Sequence, residues 1–275
     1  MHDLPGYLAH TGFEGTARAD LPTLRQLVLR HVLTIPFENL DALTGRRPSL
    51  DPADVERKLL RQRRGGWCFE QNLLLGNALR ALGFAVEDLA ARVVWGRTAD
   101  VVAPRTHRVL KVRAENRDWI VDAGFGGQTL TGVLDLASEE PQATPHEPFR
   151  LRRLGEDLLM ESQVTAEWLP MFRFDLHPQQ PIDFEAANFQ LVHDPASHFT
   201  QGLRVSRVMH DGRHVLRGFE LAFHSLQGGT RRETLNDAHA VLEALRDVFG
   251  IDTSGLPELP AKLEALRQTG SPARS

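Results

Sequence analysis

The chain changes its hydrophobic rhythm once, and that change limits the folds open to it. Up to Gly83, apolar residues recur at three- and four-residue steps, the spacing of one helix face. From about Glu87 they gather in short β-type runs separated by turn residues. A helical first part followed by a strand-rich remainder predicts an α+β protein.

Three helices are expected first. Asp20-Leu21-Pro22 supplies an N-cap and a first turn. Leu24, Leu27, Val28, His31, Val32 and Ile35 then share a face until Pro36, and Phe37-Glu38-Asn39-Leu40 reads as a loop. Asp51-Pro52 opens a second helix, with Val55, Leu59 and Leu60 on one side. The third starts at Cys68, carries Leu73, Leu74, Leu75, Ala78, Leu79 and Leu82, and ends near Gly83. Together they predict a small bundle over 1–86.

The next segment, 87–187, is predicted to be a curled antiparallel sheet or small β-barrel. Its strands are expected at Val93–Trp95, Arg108–Arg113, Asp118–Asp122, Phe149–Leu154 and Leu158–Val164. Residues Trp168 to Thr200 have no clean period and read as a connecting stretch without a legible shape. The last segment, 188–275, is predicted to hold a linker and an α/β lid. In it Leu203–Met209 and Val215–Phe223 pair across Asp211-Gly212, a hairpin signal. A helix from Asp237 to Phe249 follows, stopped by Gly250, and the tail from Thr269 to Ser275 is expected to be mobile.

Cys68 is the only cysteine in 275 residues, which excludes an intrachain disulfide and fits a reducing compartment. It follows Gly65-Gly66 and opens a helix, where unpaired N–H groups and the helix dipole favour a thiolate. A net charge of −4 gives no electrostatic case for a nucleic-acid or membrane partner. Residues 1–15 lack a secretory pattern and no apolar run is long enough to cross a bilayer, so a cytoplasmic location is expected. The histidines and the lone cysteine form no metal-ligand cluster, so no metal is expected.

One hairpin brings chemistry to Cys68. A four-residue loop from Ala114 to Arg117 pairs Arg113 with Asp118, which places His107 and Asp122 on one face as diagonal neighbours, roughly 7–8 Å apart at the backbone. A one-residue slip would separate them. Cys68 would then be the nucleophile, His107 its general base and Asp122 the group that orients the imidazole. The order Cys, His, Asp is compatible with papain-like and transglutaminase-like enzymes.

The local residues go further. Arg64-Gly65-Gly66-Trp67-Cys68-Phe69-Glu70-Gln71-Asn72 resembles the RGGxCxEQN segment of the arylamine N-acetyltransferases. Ile35–Leu40 resembles their IPFENL loop, and Thr106-His107-Arg108 and Val121–Gly127 resemble their histidine and aspartate segments. The resemblance spans most of the first 135 residues in order and rests beyond about residue 140 on general layout. It implies a helical bundle, a β-barrel and an α/β lid around a Cys-His-Asp core.

It also implies a two-step reaction, in which Cys68 takes acetyl from acetyl-CoA and passes it to an arylamine, hydrazine or arylhydroxylamine. Acetyl-CoA is then an acyl-donor substrate, and no permanently bound cofactor is implied. Gly124, Phe125, Gly126 and Gly127, with Thr129 and Thr106, are the implied CoA contacts. Phe125 would line the acyl and amine pocket, and N–H groups near Cys68 and Thr106 are candidate oxyanion donors. Arg64 and Glu38 are expected to pair and brace the cysteine loop, and Trp67 and Phe69 to pack. Two alternatives share the chemistry: an amide synthase acting on a carrier-bound acyl chain, and a thiol hydrolase.

Overall fold

A computed structural model describes residues 1–269. The first part contains helices α1 (Leu4–His10), α2 (Leu21–Thr34), α3 (Leu40–Leu43), α4 (Pro52–Glu56) and α5 (Cys68–Ala81). Strand β1 (Phe37–Glu38) lies between α2 and α3, and a π-helical turn, Arg57–Arg61, extends α4. The three expected helices are present, capped as their sequences suggest: the Asp20 carboxylate accepts from Thr23 N–H at 2.9 Å and that of Asp51 from Ala53 N–H at 2.8 Å. Leu24, Leu27, Val28 and Val32 of α2 pack with Leu74, Leu75 and Leu79 of α5 in one core.

The stretch expected as a plain loop is not one. Phe37 and Glu38 form β1, and Leu40 begins α3. An isolated pair of strand residues has no helical or alternating signal, because its partners come from far along the chain.

Next come β2 (Ala85–Val93), β3 (Arg105–Ala114), β4 (Arg117–Val121), β5 (Leu134–Asp135), β6 (Phe149–Leu154), β7 (Asp157–Val164) and β8 (Glu167–Phe174). They form one antiparallel sheet in the order β5-β4-β3-β2-β8-β7-β6. The sheet curls into a nearly closed barrel, and Gln142 joins its two edges. Its side chain accepts from Asp135 N–H of β5 at 2.7 Å, while its backbone exchanges bonds of 2.7 and 3.0 Å with Phe149 of β6. Leu89, Val109, Ile120, Phe149, Met160 and Phe172 fill the interior.

The first barrel strand was expected at Val93–Trp95 but ends at Val93 after starting at Ala85. The β3–β4 register is the expected one, Arg113 opposite Asp118. The loop is two residues shorter, because Glu115 and Asn116 take φ of 51° and 61° and close a tight turn beyond Ala114↔Arg117.

The stretch from Trp168 to Thr200 has definite structure. It holds most of β8, then α6 (Pro181–His193) and α7 (His198–Gln201). Pro170 sits in β8 where the register with β7 shifts, a place where the missing N–H is tolerated. On α6 only Phe184 and Asn188 are buried, while Ile182 and Phe189 are exposed, so the apolar residues do not mark one face.

The C-terminal part comprises β9 (Arg204–Met209), β10 (Gly212–Arg217), β11 (Glu220–Ser225), β12 (Thr230–Thr234), α8 (Ala238–Asp247) and α9 (Leu259–Thr269). The expected second strand, Val215–Phe223, is two strands separated by a turn at Gly218, whose φ is 58°. The sheet order β1-β9-β10-β11-β12 draws Phe37 and Glu38 into the lid, opposite Ser206 and Val205. α8 and α9 cover one face through Val241, Leu245 and Leu263 against Val205 and Leu216. Of the tail expected to be mobile, Thr269 closes α9 and 270–275 lie outside the described residues. Among the described residues no helix is long and apolar enough to cross a membrane, and no acidic, His or Cys group is poised to hold a metal.

Candidate active site

Two loops are zipped together to launch α5. Glu38 N–H donates to Gly66 O and Gly66 N–H to Pro36 O, both at 3.2 Å. A Cβ on Gly65 would lie 2.2 Å from Pro36 O, so only glycine permits this approach. The Arg64 guanidinium grips Glu38 through Nε at 2.9 Å and Nη2 at 2.7 Å, and both residues are buried. The expected ion pair is therefore present, and it does not act alone. Lys58, on the π-helical turn, contacts Asp41 at 2.6 Å and Glu70 at 2.7 Å.

Glu70 in turn fixes the helix start, its Oε2 accepting from Trp67 N–H at 3.1 Å. Burial drives its carboxyl up, against the pull of Lys58, to a pKa of about 7. Trp67 and Phe69 are buried and pack edge to face at 5.8 Å, the packing role expected of them.

The next two residues anchor the helix. Gln71 Nε2 donates to Pro36 O at 2.8 Å, which leaves Oε1 to accept from His31 Nε2 at 2.8 Å. His31 Nδ1 then accepts from Tyr7 OH at 3.0 Å. Full burial holds His31 down to a pKa of about 4, so its ring is neutral and this tautomer is fixed by its partners.

Asn72, one turn beyond Cys68, ties α5 to the barrel. Its amide nitrogen donates to Asp122 Oδ1 at 2.9 Å and to Arg108 O at 2.6 Å, while its oxygen accepts from Ala123 N–H at 2.9 Å. Asp122 Oδ1 also accepts from Gly124 N–H at 2.8 Å. The second carboxylate oxygen, Oδ2, meets His107 Nε2 at 2.8 Å.

That bond leaves Nδ1 as the ring nitrogen of His107 open to Cys68, whose sulfur acts on the imidazole closely enough to help raise its pKa. Burial opposes the imidazolium, but Asp122 first and then Cys68 outweigh it and push His107 up to about 10. The ring is held between Phe172, at 4.8 Å between centroids, and Phe125, at 5.6 Å. At neutral pH the site therefore presents a charged imidazolium, buried, with a carboxylate on one edge and the sulfur on the other.

The remaining expected residues divide by what their polar groups already do. Phe125 N–H donates to Thr129 Oγ1 at 2.9 Å, and Thr129 is buried beneath the turn it shapes. Among the described residues no acceptor is found for the N–H groups of Gly126 and Gly127. Thr106 departs from expectation: its N–H, a candidate oxyanion donor, is turned to Pro104 O at 3.0 Å. It meets Cys68 through its carbonyl, 3.6 Å from Sγ. Cys68 N–H, at the first helical position, has no intrahelical acceptor and remains the available donor.

Sequence reasoning assigned no role to Asn72, Gln71, Lys58, Asp41 or Phe172. The first two sit in the quoted motif and share a polar, buried turn with Cys68, a signal that was open to use. Lys58, Asp41 and Phe172 gave none, because only the fold brings them near.

Comparison with known proteins agrees with this geometry. A family model described as N-acetyltransferase matches residues 20–256. The arylamine N-acetyltransferase of Mycolicibacterium smegmatis is 44% identical over 262 residues, 92% of this chain and 94% of that one. The Escherichia coli arylamine N-acetyltransferase is 40% identical over 246 residues, 89% and 87% of the two chains. The structure of the Mycobacterium marinum arylamine N-acetyltransferase in complex with CoA superimposes with a TM-score of 0.91 at 37% identity, over 96% of this chain and 99% of that one. The chain belongs to the arylamine N-acetyltransferase family.

Proposed function

We propose that this protein moves an acetyl group from acetyl-CoA to the nitrogen of an arylamine or hydrazine, or to the oxygen of an arylhydroxylamine, through acetyl-Cys68. The observation that carries the reading is one imidazole bonded to Asp122 through Nε2 at 2.8 Å, its charge supported also by Cys68, the first residue of α5.

In the first step the Cys68 sulfur attacks the thioester carbonyl, the C–S bond to CoA breaks, and His107 gives its proton to the departing CoA sulfur. In the second, the acceptor nitrogen attacks acetyl-Cys68 and His107, now neutral, removes the proton that the nitrogen sheds. The sulfur leaves as thiolate and the imidazolium is restored. Asp122 holds the ring and balances its charge throughout. Cys68 N–H supports the tetrahedral oxyanion in both steps.

The N–H groups of Gly126 and Gly127 are free to meet CoA oxygens, and Phe125 borders the acyl group. Arg64 and Glu38 keep the cysteine loop in place. Segments 1–86, 87–187 and 188–275 thus supply the nucleophile, the base with its carboxylate, and the cover. The setting is the cytoplasm, with no nucleic-acid partner. Initial-velocity measurements with acetyl-CoA and an aromatic hydrazine test the order of events. Parallel double-reciprocal lines are expected; intersecting lines would require both substrates to bind before any transfer and would contradict the scheme.

A further inference from the structure

Glu70 and Cys68 leave α5 on opposite sides, since two residues turn a helix by about 200°. Cys68 turns to the barrel, where Thr106 O lies 3.6 Å from its sulfur. Glu70 turns to a cavity of about 440 Å³ between the bundle and the lid. The floor of this cavity is Asp41, Lys58, Arg64 and Glu70. Its rim comes from the α3–α4 loop, from α4 with its π-helical turn, and from the lid loop at Asp252. Arg46 closes one side by reaching across to the lid, where it meets Glu258 at 2.6 Å and Gly255 O at 3.0 Å. The described residues that line the cavity include no member of the triad and none of the glycine loop, 124–127.

The lining selects for charge. Among the described residues that form it, Pro48 is the only apolar side chain, so it offers no surface to an aryl ring or an acyl chain. Five of its side chains are cations and four are carboxylates, although the whole chain has a net charge of −4. The two signs are not equally committed. On the floor Lys58 holds Asp41 at 2.6 Å and Glu70 at 2.7 Å, and Arg64 adds a bond to Asp41 at 3.1 Å. On the rim Arg57 meets Asp54 at 2.7 Å and Arg47 meets Glu185 at 3.5 Å, and both arginines are about half exposed. Exposed pairs of this kind contribute little, so either guanidinium can turn inwards at small cost. Among the described residues no acidic cluster is poised for a metal. The groups free to take a ligand are cationic.

The floor is tied to the nucleophile. Glu70 Oε1 accepts from Lys58 at 2.7 Å, and Oε2 accepts at 3.1 Å from Trp67 N–H, immediately before Cys68. An anion seated over Lys58 competes for its ammonium and repels the Glu70 carboxylate. Both effects favour the protonated carboxyl, a weaker acceptor for Trp67 N–H, and so loosen the first turn of α5.

We propose that this cavity is an inhibitory effector site for a small polyanion, held by Arg47, Arg57 and Lys58 and linked to Cys68 through Glu70. The planar guanidinium forks of the rim suit paired oxygens of a phosphate or carboxylate, and the Lys58 ammonium takes a further oxygen below them. The inference rests on the reading of Cys68 as the nucleophile, and is independent of which acyl donor and acceptor the protein uses.

The test follows alkylation of Cys68 by iodoacetamide, which needs neither acetyl-CoA nor an amine. Inorganic pyrophosphate and citrate are the probes, with KCl at matched ionic strength as the control. A saturable slowing of about five-fold or more is expected from at least one of them, and the one that acts identifies the anion as phosphate or carboxylate. Arg47→Gln/Arg57→Gln is expected to abolish the slowing and leave the basal rate unchanged. No slowing beyond that of KCl would overturn the site. So would slowing that persists in the variant, which would place the anion among the CoA contacts. Calorimetric binding of a probe with alkylation unchanged would overturn the link through Glu70. Failure of acetyl transfer with these alkylation results intact would strike the reading of the reaction alone.

Discussion

Gly124 and Cys68 meet backbone to backbone. A Cβ on Gly124 would lie 2.5 Å from Cys68 Cα and 3.0 Å from Cys68 O. This contact brings the strand end that carries Asp122 against the first turn of the helix that carries the thiol. Gly124→Ala has to push them apart. It is expected to cost more than about 2 kcal/mol of stability and at least about 100-fold in acetylation rate. At Gly127 the same methyl group meets only Val215 Cγ2, at 3.4 Å. Gly127→Ala is expected to stay within about 1 kcal/mol of the native protein. Urea unfolding of both variants, with turnover of an aromatic hydrazine, checks the contrast.

Glu70 makes stability depend on pH in an unusual direction for a carboxylate. Its pKa is raised from 4.5 to about 7, so between those values the folded protein holds a proton that the unfolded chain has released. The contribution is fully present below 4.5, is lost as pH rises, and levels off above about 7. Glu70→Gln keeps an acceptor for Trp67 N–H and removes the titration. Urea unfolding at pH 5 and 7.5 is expected to show the native protein losing on the order of 1–3 kcal/mol more than the variant over that interval. Equal pH dependence in the two would refute the assignment.

His107 has the same sign over a higher range of pH. Its pKa is raised from 6.5 to about 10, so the stabilisation of its cation is complete below 6.5 and lost as pH rises through about 10. NMR of the imidazole is expected to show no titration between pH 6 and 8.5 and a midpoint near 10. Asp122→Asn removes the leading cause of the shift and is expected to move the midpoint well down, with acetylation reduced about 10²–10⁴-fold. A native midpoint near 6.5 would contradict the charged resting state.

The placement of Cys68, His107 and Asp122 was legible in the sequence because each part follows from local rules. Gly65-Gly66 and the apolar run set a helix start at Cys68, and the β3–β4 hairpin allowed one register that puts His107 and Asp122 together. The supporting structure was less legible because it is made by long-range pairing. β1 is two residues whose partners, Ser206 and Val205, lie far along the chain. α6 buries only Phe184 and Asn188, too little to leave a periodic signal. Thr106 was read as a donor because a sequence shows that an amide exists and not where it points. The same holds for Lys58, whose contacts with Asp41 and Glu70 join residues that no motif links.

The most direct test of the central claim is the mass of the intact protein after mixing with acetyl-CoA, first alone and then with an aromatic hydrazine. The account predicts one added acetyl group, absent in Cys68→Ala, and its removal by the hydrazine with one equivalent of acetylhydrazide formed. Absence of the adduct, with no CoA released by folded protein, would contradict acetyl transfer from CoA through Cys68.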